Sequence, residues 1–254
     1  DGEDGSMYAP SFKVSHLAFP ALVAVPSINR RLALAASRSV RIAFGGLLMC
    51  VAVCPARAMD GGEIARIGTQ AGVPACASCH GDAGGGNTEG GFPRLSGLAE
   101  GYLAHELDSF ADGSRDNEIM GPIAQGLTPE ERRALAVFYA GLRALPPVGT
   151  PQPDDTASNR GRMQAQSGEW TKALPACAQC HGPAGQGVGA AFPPLAGQPA
   201  AYLAAQLSAW KAGTRRNDPF RLMKEIADRL SDDDATAVAA YYAALPATAI
   251  GGGR

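Results

Sequence analysis

Charged residues, aromatic residues and long apolar runs are all scarce in this chain. Of its 254 residues, 18% are charged and 6% are aromatic, and the formal net charge is only −2. The pronounced apolar segment, residues 42–54, is about 13 residues long, too short for a helix that spans a bilayer of about 30 Å. No segment alternates apolar and polar residues as a half-buried strand does. These absences argue against a membrane-spanning or β-rich protein and give no sign of nucleic-acid binding, whereas 32 glycines and 19 prolines suit a soluble, loop-rich protein.

The beginning of the chain has the organisation of an export signal. Several arginines between positions 30 and 41 form a positive region, residues 42–54 form an apolar region, and the small-x-small sequence ARA ends at Ala58. We therefore predict that residues 1–58 are an upstream extension and a signal peptide cleaved near Ala58, and that the mature chain is exported to the periplasm. A buried helix or a retained anchor is the alternative for the apolar region. Cleavage would remove two of the six cysteines.

The remainder of the chain is a tandem duplication. PACASCHG, which ends at Gly81, returns as PACAQCHG, which ends at Gly182. FPRLSG (92–97) returns as FPPLAG (192–197), and GYLAHELDSFADGSRDN returns as AYLAAQLSAWKAGTRRN. Two copies of about 100 residues are each the size of a domain.

Each copy is predicted to be a helical domain. We expect a first domain over residues 59–147, a proline-rich linker over 148–158 and a second domain over 159–254. Apolar residues recur at helical spacing in both copies. Thr128 and Ser231 are predicted N-caps because acidic residues follow each of them in the first turn. The expected fold class is all-α, with the order helix, loop, helix, loop, helix in each domain.

Both copies contain a CxxC pair followed at once by histidine. A CxxC pair is commonly a redox dithiol, half of a zinc site or a haem attachment. A redox dithiol calls for a βαβ setting, which the pattern lacks, and convergence of two distant pairs on one zinc leaves the histidines unexplained. Haem c explains all three residues, since two thiols bond its vinyl groups and the adjacent histidine ligates the iron. We predict two covalently bound haem c groups, with cysteines Cys76, Cys79, Cys177 and Cys180 and iron ligands His80 and His181.

The sixth ligand of each iron distinguishes an electron carrier from an enzyme. Three methionines follow Met59, and two of them, Met120 and Met223, occupy the same place in the two copies. Core packing is the usual role of a methionine, but a haem needs an axial partner and thioether sulfur commonly fills that position opposite histidine. We therefore predict Met120 and Met223 as metal ligands. Met163 has no counterpart and is interpreted as a packing residue.

The tandem pattern resembles cytochrome c4, a dihaem periplasmic cytochrome. The motifs CxxCH, FPxLxG and G-x-R-x-N and a later methionine carry the resemblance, and each is present twice. The resemblance implies two tandem class I cytochrome c domains, each wrapped around one covalently attached haem. It also implies that Pro93 and Pro193 support the cofactor by offering their carbonyls to the second ring nitrogen of the ligand histidines. Arg115 and Arg215 are expected either near haem propionates or as solvated arginines.

These patterns favour an electron carrier that has no catalytic residues of its own. The expected function is transfer of single electrons from a respiratory donor, such as a quinol-oxidising complex, to a terminal oxidase or another acceptor. The expected partners are redox proteins of membrane respiratory complexes, through which the protein would contact the membrane. The alternatives are the cytochrome subunit of a periplasmic dehydrogenase and a dihaem enzyme with an open iron position. Residues 59–150 hold 12 acidic and 6 basic residues, and residues 151–254 hold 9 and 10, an asymmetry that would steer partners at low salt.

Overall fold

The computed structural model describes residues 60–145, 155–218 and 220–247. The predicted signal peptide, its cleavage near Ala58 and most of the predicted linker lie outside these ranges. Within the described ranges the chain is helical and contains isolated β-bridges but no sheet. The predicted all-α fold class is therefore confirmed. No helix in these ranges is long and apolar enough to cross a membrane.

The first copy consists of five helices around one core. They are α1 (Gly61–Ile67), α2 (Ala77–His80), α3 (Glu100–Asp112), α4 (Met120–Gln125) and α5 (Pro129–Gly141). Helix α3 packs against α4 and α5, and α1 packs against α5. Burial of Ile64, Leu103, Leu135 and Tyr139 in the core joins three of these helices. Helix α1 ends at Ile67 because Gly68 follows with a φ of 79°.

The second copy repeats this order of helices. They are α6 (Asp155–Gln166), α7 (Ala178–His181), α8 (Ala200–Ala212), α9 (Leu222–Arg229) and α10 (Asp232–Ala244). A 3₁₀ turn at Trp170–Lys172 precedes α7, and residues 60–145 contain no such turn. Helix α10 packs against α6 and α8, around a separate core that includes Leu174 and Tyr242. Helix α6 begins at Asp155, inside the range predicted as linker.

The closing helix of each copy begins at a capped residue. The Thr128 side chain accepts a hydrogen bond from the Glu131 backbone N–H, and the Glu131 side chain accepts one from the Thr128 backbone N–H. The Ser231 side chain accepts from the Asp234 backbone N–H in the same way. The predicted N-caps are therefore confirmed. Such caps satisfy backbone N–H groups that have no partner within the helix.

The two copies belong to one compact unit, and the same segment of each meets its counterpart. The Asp116 N–H donates to the Thr214 carbonyl (2.8 Å), and the Arg216 N–H donates to the Ser114 carbonyl (2.7 Å). The two G-x-R-x-N segments thus pair antiparallel over a short distance. This pairing places the first turns after α3 and α8 at the domain interface.

Candidate haem sites

Each CxxCH motif folds as a single helical turn. The His80 N–H donates to the Cys76 carbonyl (3.0 Å), and the His181 N–H donates to the Cys177 carbonyl (2.9 Å). Residues three and four positions apart lie on the same face of a helix. The first cysteine therefore shares a face with both the second cysteine and the histidine. The CxxCH spacing presents two thiols and one imidazole together.

A proline carbonyl orients the imidazole of each motif. Nδ1 of His80 lies 2.9 Å from the Pro93 carbonyl oxygen, and Nδ1 of His181 lies 2.8 Å from that of Pro193. A carbonyl can only accept, so Nδ1 carries the proton and Nε2 keeps a free lone pair. These are the hydrogen bonds that the resemblance implied. The haem-binding roles of the four residues stay predictions.

Burial keeps both imidazoles neutral. Both side chains are buried, and desolvation lowers the pKa of His80 and of His181, which outweighs the opposite effect of the proline carbonyls. The rings of Phe92 and Phe192 each lie edge-on to the neighbouring histidine, with ring centroids 6.1 Å apart. A neutral imidazole with a fixed tautomer is the form that ligates a metal.

The second motif opens onto a cavity of about 460 Å³. The side chains that could hold a haem all line it, together with mostly apolar neighbours: Cys177, Cys180, His181, Met223, Leu203, Leu207, Trp210, Ile226 and Val238. Nε2 of His181 is buried and has no hydrogen-bond partner. An unpaired buried polar atom costs about 1–3 kcal/mol, and an iron bound at this nitrogen would remove that cost. The residues present therefore fit a haem.

The four thiols of the motifs are free and half-buried. Burial raises the pKa of Cys177 to about 11 and also raises the pKa of Cys76 above its ordinary value. Redox-active dithiols need a lowered thiol pKa, so these surroundings argue against a redox dithiol. Across the described ranges, no three His, Cys, Asp or Glu side chains cluster as a metal site would require. The two CxxC pairs therefore do not converge on one zinc.

The predicted methionine ligands begin equivalent helices. Met120 is the first residue of α4, and Met223 is the second residue of α9. The Met223 side chain lines the same cavity as His181. The interpretation of Met163 as a packing residue was wrong, since 65% of it is exposed. The roles of Met120 and Met223 as iron ligands stay predictions.

A buried ionic cluster that the sequence did not identify lies where the domains meet. Glu106 of α3 accepts from Nη1 of Arg115 (2.6 Å), from Nη2 of Arg215 (2.7 Å) and from the Asn217 side chain (2.9 Å). Arg115 also donates to Gln206 (2.6 Å). Burial would raise the pKa of Glu106, but the cationic Arg215 and Arg115 outweigh it and hold that pKa below its usual range.

These contacts revise the expectation for the two arginines. Arg115 and Arg215 are buried in the interface and are not solvated surface residues. Arg215 also lines the cavity at the second CxxCH motif, which is called the second cavity below. One signal in the sequence points to the cluster, because the duplication pairs Glu106 with Gln206 on otherwise apolar helical faces.

A second interdomain contact involves Arg94, which is completely buried. Its guanidinium donates to the Ser96 carbonyl (2.6 Å) and, across the interface, to the Ala196 carbonyl (3.2 Å). The Gln198 side chain accepts from the Arg94 N–H (3.0 Å) and donates to its carbonyl (2.9 Å). Desolvation lowers the pKa of Arg94 to about 10. It therefore remains a buried cation at neutral pH.

Comparisons with known proteins agree with this geometry. The sequence profile of the family described as cytochrome c matches residues 66–142 and 170–245. The chain is 44% identical to the thiosulfate dehydrogenase electron acceptor of Stutzerimonas stutzeri (strain A1501), over 81% of this chain and 95% of that protein. It is 30% identical to the solved reduced cytochrome c4 of Pseudomonas stutzeri, with a TM-score of 0.61, over 67% of this chain and 93% of that one.

A longer solved protein also contains a region similar to this chain. It is the as-isolated form of the thiosulfate dehydrogenase of Marichromatium purpuratum, at 44% identity and a TM-score of 0.69. The match covers 73% of this chain but only 40% of that longer chain. This chain is therefore similar to less than half of that protein.

Proposed function

Because the chain belongs to the cytochrome c family, as a dihaem electron-transfer member related to cytochrome c4, we propose that it accepts electrons from a thiosulfate dehydrogenase. The observation that carries the proposal is its 44% identity over 95% of a protein named as the electron acceptor of that enzyme. Identity to the solved cytochrome c4 is 30%. Among the functions expected from the sequence, this proposal corresponds to the alternative in which the chain is the cytochrome subunit of a periplasmic dehydrogenase.

We assign the site residues as the motifs and the geometry support them. His80 with Met120 and His181 with Met223 are the proposed iron ligands, and the two cysteines of each motif are the proposed attachment points. A bound haem supplies one-electron chemistry at its iron. The Pro93 carbonyl, 2.9 Å from Nδ1 of His80, fixes the ring and makes Nε2 a stronger ligand. The Pro193 carbonyl does the same for His181 at 2.8 Å.

The location and the downstream partner are part of the same proposal. The arginines, apolar segment and ARA sequence before residue 59 support export to the periplasm. The proposed domains of the exported chain are residues 59–147 and 159–254, with the second extended at its start to Asp155, where α6 begins. Electrons would leave to a membrane respiratory complex or another redox protein. The acidic first domain and near-neutral second domain support docking that weakens with salt.

A general respiratory carrier is the second candidate function. The match to 93% of a solved cytochrome c4 favours it, because that protein also consists of two such domains. A dihaem enzyme is less well supported. It needs an open iron position, whereas His181 and Met223 both line the second cavity and would supply two protein ligands to an iron bound there.

The test is reduction of the purified, oxidised holoprotein by a purified thiosulfate dehydrogenase and thiosulfate, followed in a stopped-flow spectrophotometer. We expect rapid appearance of the reduced haem spectrum, with two electrons taken up per chain and a rate that falls as salt is added. A control without thiosulfate should stay oxidised.

Two further arms separate the candidate functions. Dithionite reduces the haems whatever the natural donor, so it shows that the sample is competent. A purified quinol-oxidising complex with its quinol tests the general carrier. Reduction by that complex but not by the dehydrogenase would overturn the proposal and favour the second candidate.

A further inference from the structure

We propose that Glu106, a residue of the first domain, lowers the reduction potential of the haem in the second domain. The second cavity is not built from its own domain alone. Tyr102, His105 and Glu106 of helix α3 also line it. Glu106 is buried and is one of two carboxylates that line the cavity, the other being Asp218 of the second domain. Glu106 is the one that accepts hydrogen bonds from Arg115 and Arg215. The inference rests on the two haems and not on the identity of the electron donor.

The charged cluster at this side of the cavity differs between the two copies, because equivalent positions carry different charges. The position equivalent to Glu106 is Gln206, which is neutral and accepts from Arg115 (2.6 Å) and from Arg215 (3.0 Å). The cluster therefore contains two guanidinium groups and one carboxylate. A second carboxylate at position 206 would face the same two arginines. The duplication thus provides a neutral position and a charged position in matched surroundings.

The sign of the effect follows from elementary electrostatics. Reduction of a haem removes one positive charge from the iron, so a nearby negative charge favours the oxidised form. The effect is large where water is excluded, because the effective dielectric constant is low. Arg215 lies with its guanidinium carbon 4.0 Å from the centroid of the Trp210 ring, and both residues line the cavity. Loss of the Glu106 charge would leave this cation uncompensated at the haem.

The experiment is a potentiometric titration of the holoprotein, followed by haem absorbance. Glu106→Gln should raise, and Gln206→Glu should lower, the potential of the second haem. At a fixed applied potential we expect each substitution to change the reduced-to-oxidised ratio of that haem about tenfold, which is 59 mV for one electron. A variant that lacks the second haem, Cys177→Ala with Cys180→Ala, leaves only the wave of the first haem and so assigns the two waves.

Three controls distinguish charge from structural damage. Glu100→Gln removes an exposed carboxylate from the same helix and should change the ratio less than twofold. Urea unfolding reports whether each variant is folded. The exchange Glu106→Gln with Gln206→Glu keeps the cluster charge and should return the second haem close to its original reduced-to-oxidised ratio.

The Gln206→Glu variant tests the proposal even if Glu106→Gln disrupts the interface, because the added carboxylate faces the two arginines that already bind Gln206. A change of less than twofold at the second haem in folded Gln206→Glu protein would overturn the proposal.

Discussion

The first and second domains hold their motif histidines alike but differ where they contact each other. The histidine-to-proline hydrogen bonds are 2.9 and 2.8 Å long, and both histidine–phenylalanine centroid distances are 6.1 Å. At the interface, however, equivalent positions carry unlike residues: Arg94 and Pro194, Leu98 and Gln198, Glu106 and Gln206. The haem-binding part of the duplication has stayed symmetrical, whereas the interface has become two complementary halves. Each domain should therefore bind haem independently, while its potential and stability depend on the other.

Removal of the thiols of one motif should have the largest effect. Cys177→Ala with Cys180→Ala should yield protein with one covalent haem, because the two cores are separate and the first motif is untouched. The equivalent change at Cys76 and Cys79 should yield the mirror result. Intact-protein mass spectrometry counts the haems. Loss of both haems from either variant would show that the domains do not bind haem independently.

Removal of a methionine ligand should open one iron without loss of haem. Met223→Ala and Met120→Ala should each make one haem of the two bind carbon monoxide when reduced, and should each weaken the far-red methionine-to-iron band. Met163→Ala is the matched control and should change neither, since Met163 is 65% exposed. Absorption spectroscopy measures both signals. If Met223→Ala leaves both irons closed, another residue is the ligand of the second iron.

Substitution of Gln198 should weaken the interface selectively. Gln198→Ala leaves the backbone N–H and carbonyl of the buried Arg94 without partners, at a cost of about 1–3 kcal/mol in the free energy of unfolding. The exposed Gln179 provides a control in the same domain, and Gln179→Ala should have little effect. Urea unfolding followed by circular dichroism measures both. An unchanged transition for Gln198→Ala would mean that the interface contributes little to stability.

The caps of α5 and α10 should contribute to the free energy of unfolding by amounts that depend differently on pH. These effects should be smaller than those of the preceding substitutions. Asp234 is buried beside Ser231 and Arg160, and these partners outweigh desolvation and hold its pKa well below the usual range. Its contribution to stability is therefore fully present above the ordinary carboxyl pKa of about 3.9 and is lost as pH falls toward the lower folded value. At pH 7, Asp234→Asn should lower the free energy of unfolding by about 1–2 kcal/mol.

The matched variant in the first domain is Glu131→Gln. Glu131 accepts from the Thr128 N–H (2.8 Å) at an exposed position, so the cost should be below about 1 kcal/mol. Urea midpoints at pH 7 and pH 3 measure both variants. The difference between wild type and Asp234→Asn should shrink at pH 3, and a difference that grows there would contradict the assigned direction of the pKa.

Local features of this molecule could be predicted from the sequence. The CxxCH turns depend on residues three and four positions apart, and the caps at Thr128 and Ser231 depend on side chains within one turn. The proline carbonyls beside His80 and His181 came from the resemblance, and the hydrogen bonds are present. Short-range patterns of this kind specify their own geometry.

The interface could not be predicted, because its contacts join residues about 100 positions apart and no periodicity reports which faces meet. Arg94 has proline as its counterpart in the second copy, so the duplication gives no sign of its role, yet it is completely buried. The prolines that precede α6 predict an extended connector, so residues 155–158 were placed in the linker although the helix begins at Asp155. Met163 was interpreted as a packing residue because it has no counterpart in the first copy, but α6 presents it to solvent.

The most direct test of the account is an absorption spectrum of the exported, purified protein, recorded oxidised, then reduced, then with carbon monoxide. We expect two haems per chain, a far-red methionine-to-iron band in the oxidised state, and no response to carbon monoxide. A missing methionine band with carbon monoxide bound at one haem would show an open iron and would contradict the assignment of this protein as a simple electron carrier.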